Sequence, residues 1–166
     1  MKVYENILDN TETSMGQLEL KTAVFKEGEY IPERFTCDGD DINPLIEIRG
    51  APEGTKSLAL VVDDPDASSG GVWDHWVLWN IDQKTQYIHE DAIPAGAVVG
   101  TTSWDKNVYG GPCPPKGDKA HRYRFKLYAL DTLLNLPETA HKSELEQAME
   151  GHIIEQTVLT GLYGRK

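Results

Sequence analysis

The sequence predicts a mostly β protein: an antiparallel β-sandwich of two sheets with one or two short helices, one near the C-terminus. Three observations point there. Short apolar or alternating runs recur along the chain, separated by Gly-, Pro- and Asp-rich turns. No long helical periodicity separates these runs, so a parallel sheet built of βαβ units does not fit. Residues 122–130 alternate cleanly, with Tyr123, Phe125, Leu127 and Ala129 on one side and Arg122, Arg124, Lys126 and Tyr128 on the other. That pattern describes a strand with one wet face, which antiparallel sheets allow.

Each element has its own signal. Residues 1–16 are polar and aperiodic and read as an N-terminal arm. Leu18, Leu20, Thr22 and Val24 alternate with Glu19, Lys21 and Ala23, as in a strand. Asn43-Pro44 interrupts the next apolar run, leaving a short strand at residues 45–48. Residues 57–62 form an unbroken apolar run suited to a strand buried on both faces. Residues 75–81, rich in aromatic and β-branched side chains, make another, and residues 97–101 a shorter one. Ser143 and Glu146 make a capping box for a helix whose apolar face carries Leu145, Ala148, Met149 and Ile153, with Gly151 weakening its middle. Residues 158–163 return to the sheet. Neither a repeat nor a linker divides residues 1–166, so a single domain is expected.

Composition narrows the function. The 166 residues carry 16 Lys and Arg against 27 Asp and Glu, a net charge of -11. An acidic body disfavours nucleic-acid binding, which needs phosphate neutralisation. Residues 101–130 reverse the sign, with Asp105 and Asp118 against Lys106, Lys116, Lys119, Arg122, Arg124 and Lys126, a segment able to draw in a small anion. No apolar stretch reaches the roughly 20 residues of a membrane span, and the acidic start lacks a signal core, so a cytoplasmic location is expected. Cys37 and Cys113, far apart in the sequence, read as two free thiols rather than a bridge. Phosphate-loop, dinucleotide-binding, nucleophile-elbow and zincin motifs are absent.

What remains is a constellation. Asp63-Asp64-Pro65-Asp66 follows an apolar strand, placing carboxylates at a strand end on a loop stiffened by proline. Trp73-Asp74-His75 opens the aromatic strand. His121 opens the alternating strand directly after the Gly- and Pro-rich turn at residues 110–117, and Tyr123 shares its side. Protonated His75 and His121, the Tyr123 hydroxyl and loop N–H groups would together donate to an anion's oxygens. The rival chemistry is hydrolysis, with the same His and Asp side chains as metal ligands or as acid and base.

In order along the chain, Phe35-Thr36-Cys37-Asp38-Gly39, Asp64-Pro65-Asp66, Trp73-Asp74-His75-Trp76, Gly111-Pro112-Cys113-Pro114-Pro115-Lys116-Gly117 and His121-Arg122-Tyr123 resemble the signature of the phosphatidylethanolamine-binding proteins. That family includes the Raf kinase inhibitor proteins and the plant flowering regulators, and its bacterial and archaeal branch is the nearer match. The resemblance implies a two-sheet fold with a pocket for phosphate, phosphoethanolamine or a similar anion. Its ligand-binding residues would be Asp64, Asp66, Trp73, His75, Pro115, His121 and Tyr123. It implies no catalytic residues, no cofactor and no metal, a homodimer, and a regulator that docks on a kinase or protease. Ser68 and Ile42-Asn43-Pro44-Leu45 depart from the usual pattern, at the pocket lip and on the surface respectively.

Overall fold

The computed structural model describes residues 17–166; the arm expected over residues 1–16 lies outside the described residues. In chain order the elements are β1 (Glu19–Lys21), a single 3-10 turn (Glu33–Phe35), β2 (Ile46–Arg49), β3 (Ser57–Asp64), β4 (Trp73–Asp82), β5 (Tyr87–Ile88), β6 (Val98–Val99), β7 (His121–Leu130), α1 (Lys142–Met149) and β8 (Ile153–Tyr163). Strands β1-β2-β5 form a small sheet and β6-β4-β3-β7-β8 a large one, with every ladder antiparallel. Two antiparallel sheets and a helix near the C-terminus are the architecture that the strand pattern predicts.

The large sheet is covered on both faces, and the residues of β3 show why its sequence does not alternate. Leu58, Leu60 and Val62 face the small sheet, where they pack with Leu20, Ile46, Ile48 and Ile88. Ala59 and Val61 face the other way, into a second cluster closed by Leu145 and Met149 of α1. A strand apolar on both faces reads as a continuous run. The outer side of β7 is therefore wet only in its first half. Arg122 is exposed, but Tyr128 and Leu130 are buried in the cluster that α1 closes.

Several boundaries differ from the sequence reading. The helix begins at Lys142, and the N–H of His141 donates to the Glu144 carboxylate at 3.3 Å, so the Ser143–Glu146 box is not its cap. It ends at Met149, because Gly151 takes a left-handed φ of 78° and turns the chain. Ile153 consequently opens β8 instead of extending the helical face. The two-residue strand β5 is too short to leave a periodic signal. Cys37 and Cys113 are joined in a disulfide, against the expectation of free thiols. Folding brings the turn after Phe35 beside the 108–119 loop, where the Cys37 N–H donates to the Pro112 carbonyl at 3.1 Å. Sequence separation carried no hint of that approach.

The outer face of the large sheet also buries a charge. Asp63 is fully buried and accepts from Arg124 Nε at 2.8 Å, with Lys126 Nζ at 2.9 Å and Lys142 Nζ at 3.4 Å. Lys142 in turn pairs with Asp74 at 2.7 Å, tying α1 to both β3 and β4. Burial alone would raise the Asp63 pKa, but hydrogen bonds from Arg124 and Lys126 and the nearby Lys142 charge outweigh it, and the carboxyl sits below its ordinary value. Its contribution to stability is therefore present above the unfolded carboxyl pKa and lost as pH falls through the depressed folded value. Asp63→Ala, which strands Arg124 and Lys126 and leaves Lys142 only Asp74, should cost about 3–5 kcal/mol in urea unfolding at neutral pH. The variant should also lose part of the wild type's decline in stability on acidification. A loss within error of zero would show that the cluster holds nothing together.

Candidate functional site

At one end of the sandwich, where β3 ends and β4 and β7 begin, lies a cavity of about 270 Å³. Asp64, Trp73, His75, Pro115, His121 and Tyr123, all singled out from sequence, line it together. Alternation along β3 separates the two leading aspartates: Asp63 lies on the helix side, and Asp64 shares the inner side with Leu60 and Val62. His75 reaches the cavity through a bulge. Val62 pairs with Trp76 but Asp63 pairs with Asp74, so His75 has no partner in the ladder. Regular alternation would have sent it toward the helix with Val77; the extra residue re-aims it.

Asp64 organises one wall. Its Oδ1 accepts the Asp66 N–H at 2.8 Å and its Oδ2 lies 2.8 Å from His121 Nδ1. Across the ring, His121 Nε2 lies 3.2 Å from the carboxylate of Asp118, which also accepts from the Ser68 hydroxyl at 3.3 Å. Burial opposes a charge on His121, but hydrogen bonds to Asp64 and Asp118 prevail and raise its pKa. Two flanking carboxylates thus favour the imidazolium form of the ring.

His75 is the opposite case. Burial pushes its pKa down, against weaker support from the Gly110 carbonyl and Asp64. Its Nδ1–H donates to the Gly110 carbonyl at 2.7 Å, and the Gly110 N–H returns a bond to the His75 carbonyl at 2.9 Å. Burial favours the neutral ring, in which Nε2 is free to accept. It thus works against the expectation that both histidines are protonated: the surroundings push the two rings in opposite directions.

The loop N–H groups are not free donors either. Gly110 donates to His75, Gly111 to the Asp41 carboxylate at 2.7 Å, and Gly117 to the Arg165 carbonyl at 2.9 Å. These glycines serve close packing. A Cβ on Gly110 would lie 2.3 Å from the Trp104 ring, and one on Gly111 2.5 Å from the Phe35 carbonyl oxygen. The available donors are instead side chains. The Tyr123 hydroxyl and the Trp73 indole N–H are buried in the cavity lining without a well-formed hydrogen bond: the Asp64 carboxylate acts on the Tyr123 hydroxyl, and the Trp73 N–H has no acceptor. Burial and the Asp64 charge push the Tyr123 pKa up, so its hydroxyl keeps its proton.

Asp66 does not line the cavity. Its carboxylate accepts from the Arg122 backbone N–H at 2.9 Å, Nε at 3.0 Å and Nη2 at 2.8 Å. That fork, above all, holds its pKa at about 2. Asp66 therefore pins the β3–β4 loop to β7 and positions Asp64. Ser68, expected at the pocket lip, does line the cavity, and so do Trp104, Ala67, Ser69, Cys113 and Pro114, which are not among the expected ligand-binding residues. Trp104 meets the His75 ring edge-on at 4.9 Å and Trp73 at 5.6 Å. It sits in a polar loop, and only the adjacency of Gly110, whose missing Cβ makes room for it, could have pointed to it. Among the described residues, no group of three or more His, Cys, Asp or Glu is arranged to hold a metal ion, and no helix is long and apolar enough to cross a membrane.

A two-sheet antiparallel sandwich with a paired Asp–His wall and a second, neutral histidine at one end defines a recognisable class. A family model described as phosphatidylethanolamine-binding protein matches residues 21–164, and the chain belongs to that family. A UPF0098 protein of Methanothermobacter thermautotrophicus is 45% identical over 153 residues, 89% of this chain and 99% of that one. A UPF0098 protein of Pyrococcus horikoshii is 45% identical over 151 residues, 87% of this chain and 76% of its own length. Among solved structures, Escherichia coli YbcL, described as a member of the mammalian PEBP family, superposes with a TM-score of 0.86 at 32% identity, covering 91% of this chain and 100% of YbcL. A Chlamydia trachomatis PEBP homologue superposes at 0.84 with 36% identity, covering 90% of this chain and 98% of that one.

The two imidazoles should titrate apart. In a 13C–1H NMR titration, His121 should lose its proton above the ordinary histidine range and His75 below it. Asp118→Asn should move the His121 midpoint down and leave His75 in place. Coincident midpoints in the wild type would contradict the division of roles.

Proposed function

We propose that this chain binds a small anion, of the phosphate-monoester or phospho-headgroup class, in the Asp64–His121 cavity without transforming it. The observation that carries this reading is the convergence of His121, whose two carboxylate partners favour its protonated form, with two buried donors, the Tyr123 hydroxyl and the Trp73 indole N–H, on one cavity. Buried donors without well-formed bonds are costly, and an oxygen-rich guest supplies the acceptors. Asp118 stands where such a guest would compete. Its carboxylate occupies His121 Nε2, and being 42% exposed it can swing away into water. Neutral His75 would accept from a protonated oxygen on the guest.

Hydrolysis in the same pocket would ask His121 to take a proton as a general base, and a histidine held charged by two carboxylates is poorly placed to do so. The same pairing suits binding. Charge-assisted hydrogen bonds to an anion are the stronger kind, and they persist only while the ring is protonated.

Calorimetry with sulfate, an anion whose own charge does not change over the range, tests this reading. Affinity should hold on the acid side and decline as pH rises through the raised His121 pKa. Tyr123→Phe should weaken binding by about fivefold, the worth of one hydrogen bond. Asp118→Ala, measured near pH 5 where the ring is charged in either protein, should tighten it by about fivefold by removing a competing charge. Undetectable binding of both sulfate and phosphoethanolamine at that pH would sink the reading.

A further inference from the structure

A disulfide borders the cavity wall. Cys113 is solvent-exposed and lines the cavity, together with its neighbours Pro114 and Pro115. Its bond to Cys37 crosses from this wall to the turn after Phe35, across 76 positions of sequence. The two sides of that bond are held very differently.

The Cys37 side is anchored. Thr36 donates through its hydroxyl to Glu33, and Asp38 accepts from the Tyr163 hydroxyl at 2.6 Å and from Arg165 at 3.1 Å. The Cys113 side is short of anchors, because Pro112, Pro114 and Pro115 have no N–H to give. Backbone bonds hold the segment at Pro112, to Cys37, and at its far end, where Gly117 donates to Arg165 and Pro115 accepts weakly from Asp118 at 3.3 Å; between them Pro114 is held by burial alone. The disulfide ties down its middle.

We propose that the Cys37–Cys113 disulfide is a reducible tether, a thiol–disulfide exchange site whose opening by a dithiol loosens the cavity wall and weakens anion binding. The inference rests on the binding reading above for its effect on affinity, though not for its effect on the wall. The exchange balances without any further reactant. A thiolate of the dithiol attacks the sulfur of Cys113, the more exposed of the two residues, the S–S bond breaks, and Cys37 leaves as a thiolate that takes up a proton. The second sulfur of the dithiol then attacks the mixed disulfide and releases Cys113. The dithiol is oxidised to its own disulfide, its two electrons and two protons ending on the protein thiols. The Gly-Pro-Cys-Pro-Pro wall then keeps its end bonds but loses its central constraint. Binding weakens because the guest must now order a segment that the oxidised protein holds in place.

The test compares oxidised protein with the same protein reduced by dithiothreitol under native conditions, and with the Cys37→Ser, Cys113→Ser double variant. Trypsin cleavage after Lys116 and Lys119 should accelerate by about tenfold or more on reduction, as expected when a local segment opens. Affinity for inorganic phosphate should fall by about fivefold or more, and reoxidation should restore both values. Should the double variant fail to fold, the reduced wild type, shown native by near-UV circular dichroism, decides alone. Three results overturn the proposal: a disulfide that resists the dithiol in the native protein, full reduction with cleavage and affinity unchanged, or global unfolding on reduction. If the oxidised protein binds no phosphate, the binding reading fails and the trypsin comparison still decides whether the wall is released.

Discussion

Two consecutive aspartates at the end of β3 face opposite sides of the large sheet, and each must find positive partners because neither meets water. That constraint arranges this end of the molecule. Asp63 gathers Arg124, Lys126 and Lys142 and so fastens the helix to the outer face. Asp64 takes His121 and fixes the inner face as a cavity wall. A buried carboxylate without such company would protonate or disrupt the core. The period of two along an extended chain does the sorting, placing a structural charge cluster and a candidate binding site one residue apart in sequence and a full sheet thickness apart in space.

Where a side chain's surroundings follow from strand alternation, the sequence was readable. The apolar run of β3, the aromatic run of β4 and the alternation of β7 each appear as strands in place, and the cavity collects the residues at their mouths. Illegible features depend on contacts between distant segments. Tyr128 reads as a wet-face residue until α1 covers it, and the two cysteines read as free until the fold sets their loops side by side. The β4 bulge left no mark in composition, yet it decides which way His75 points. Protonation is the extreme case. Identical side chains at the mouths of β4 and β7 are pushed in opposite directions, because one is enclosed against a carbonyl and the other is flanked by two carboxylates.

That division shapes what the cavity can accept. Two protonated histidines would make a site of donors alone, suited to a fully deprotonated anion. With His75 pushed toward the neutral form, the remaining donors can still hold a fully deprotonated anion, and a guest that also carries a hydrogen, such as a monoprotonated phosphate ester or an anion bearing an amine, gains a further bond to His75. The Asp118 carboxylate tightens the requirement. It already satisfies the charge on His121, so a guest gains only by the difference between its own contacts and those it displaces. Weak anions with a single oxygen face would not repay that exchange, whereas a phosphate group can meet His121, Tyr123 and Trp73 together.

The buried donors bear on stability as well. Each buried N–H or O–H left without an acceptor costs about 1–3 kcal/mol relative to a satisfied one. A fold of this size has a total margin of about 5–15 kcal/mol, so such groups in one cavity are a substantial liability. The Asp66–Arg122 fork, the Asp63 cluster and the Cys37–Cys113 bond all lie within the elements that frame the cavity. Together they limit how far the backbone around the cavity can shift to pair its buried donors internally.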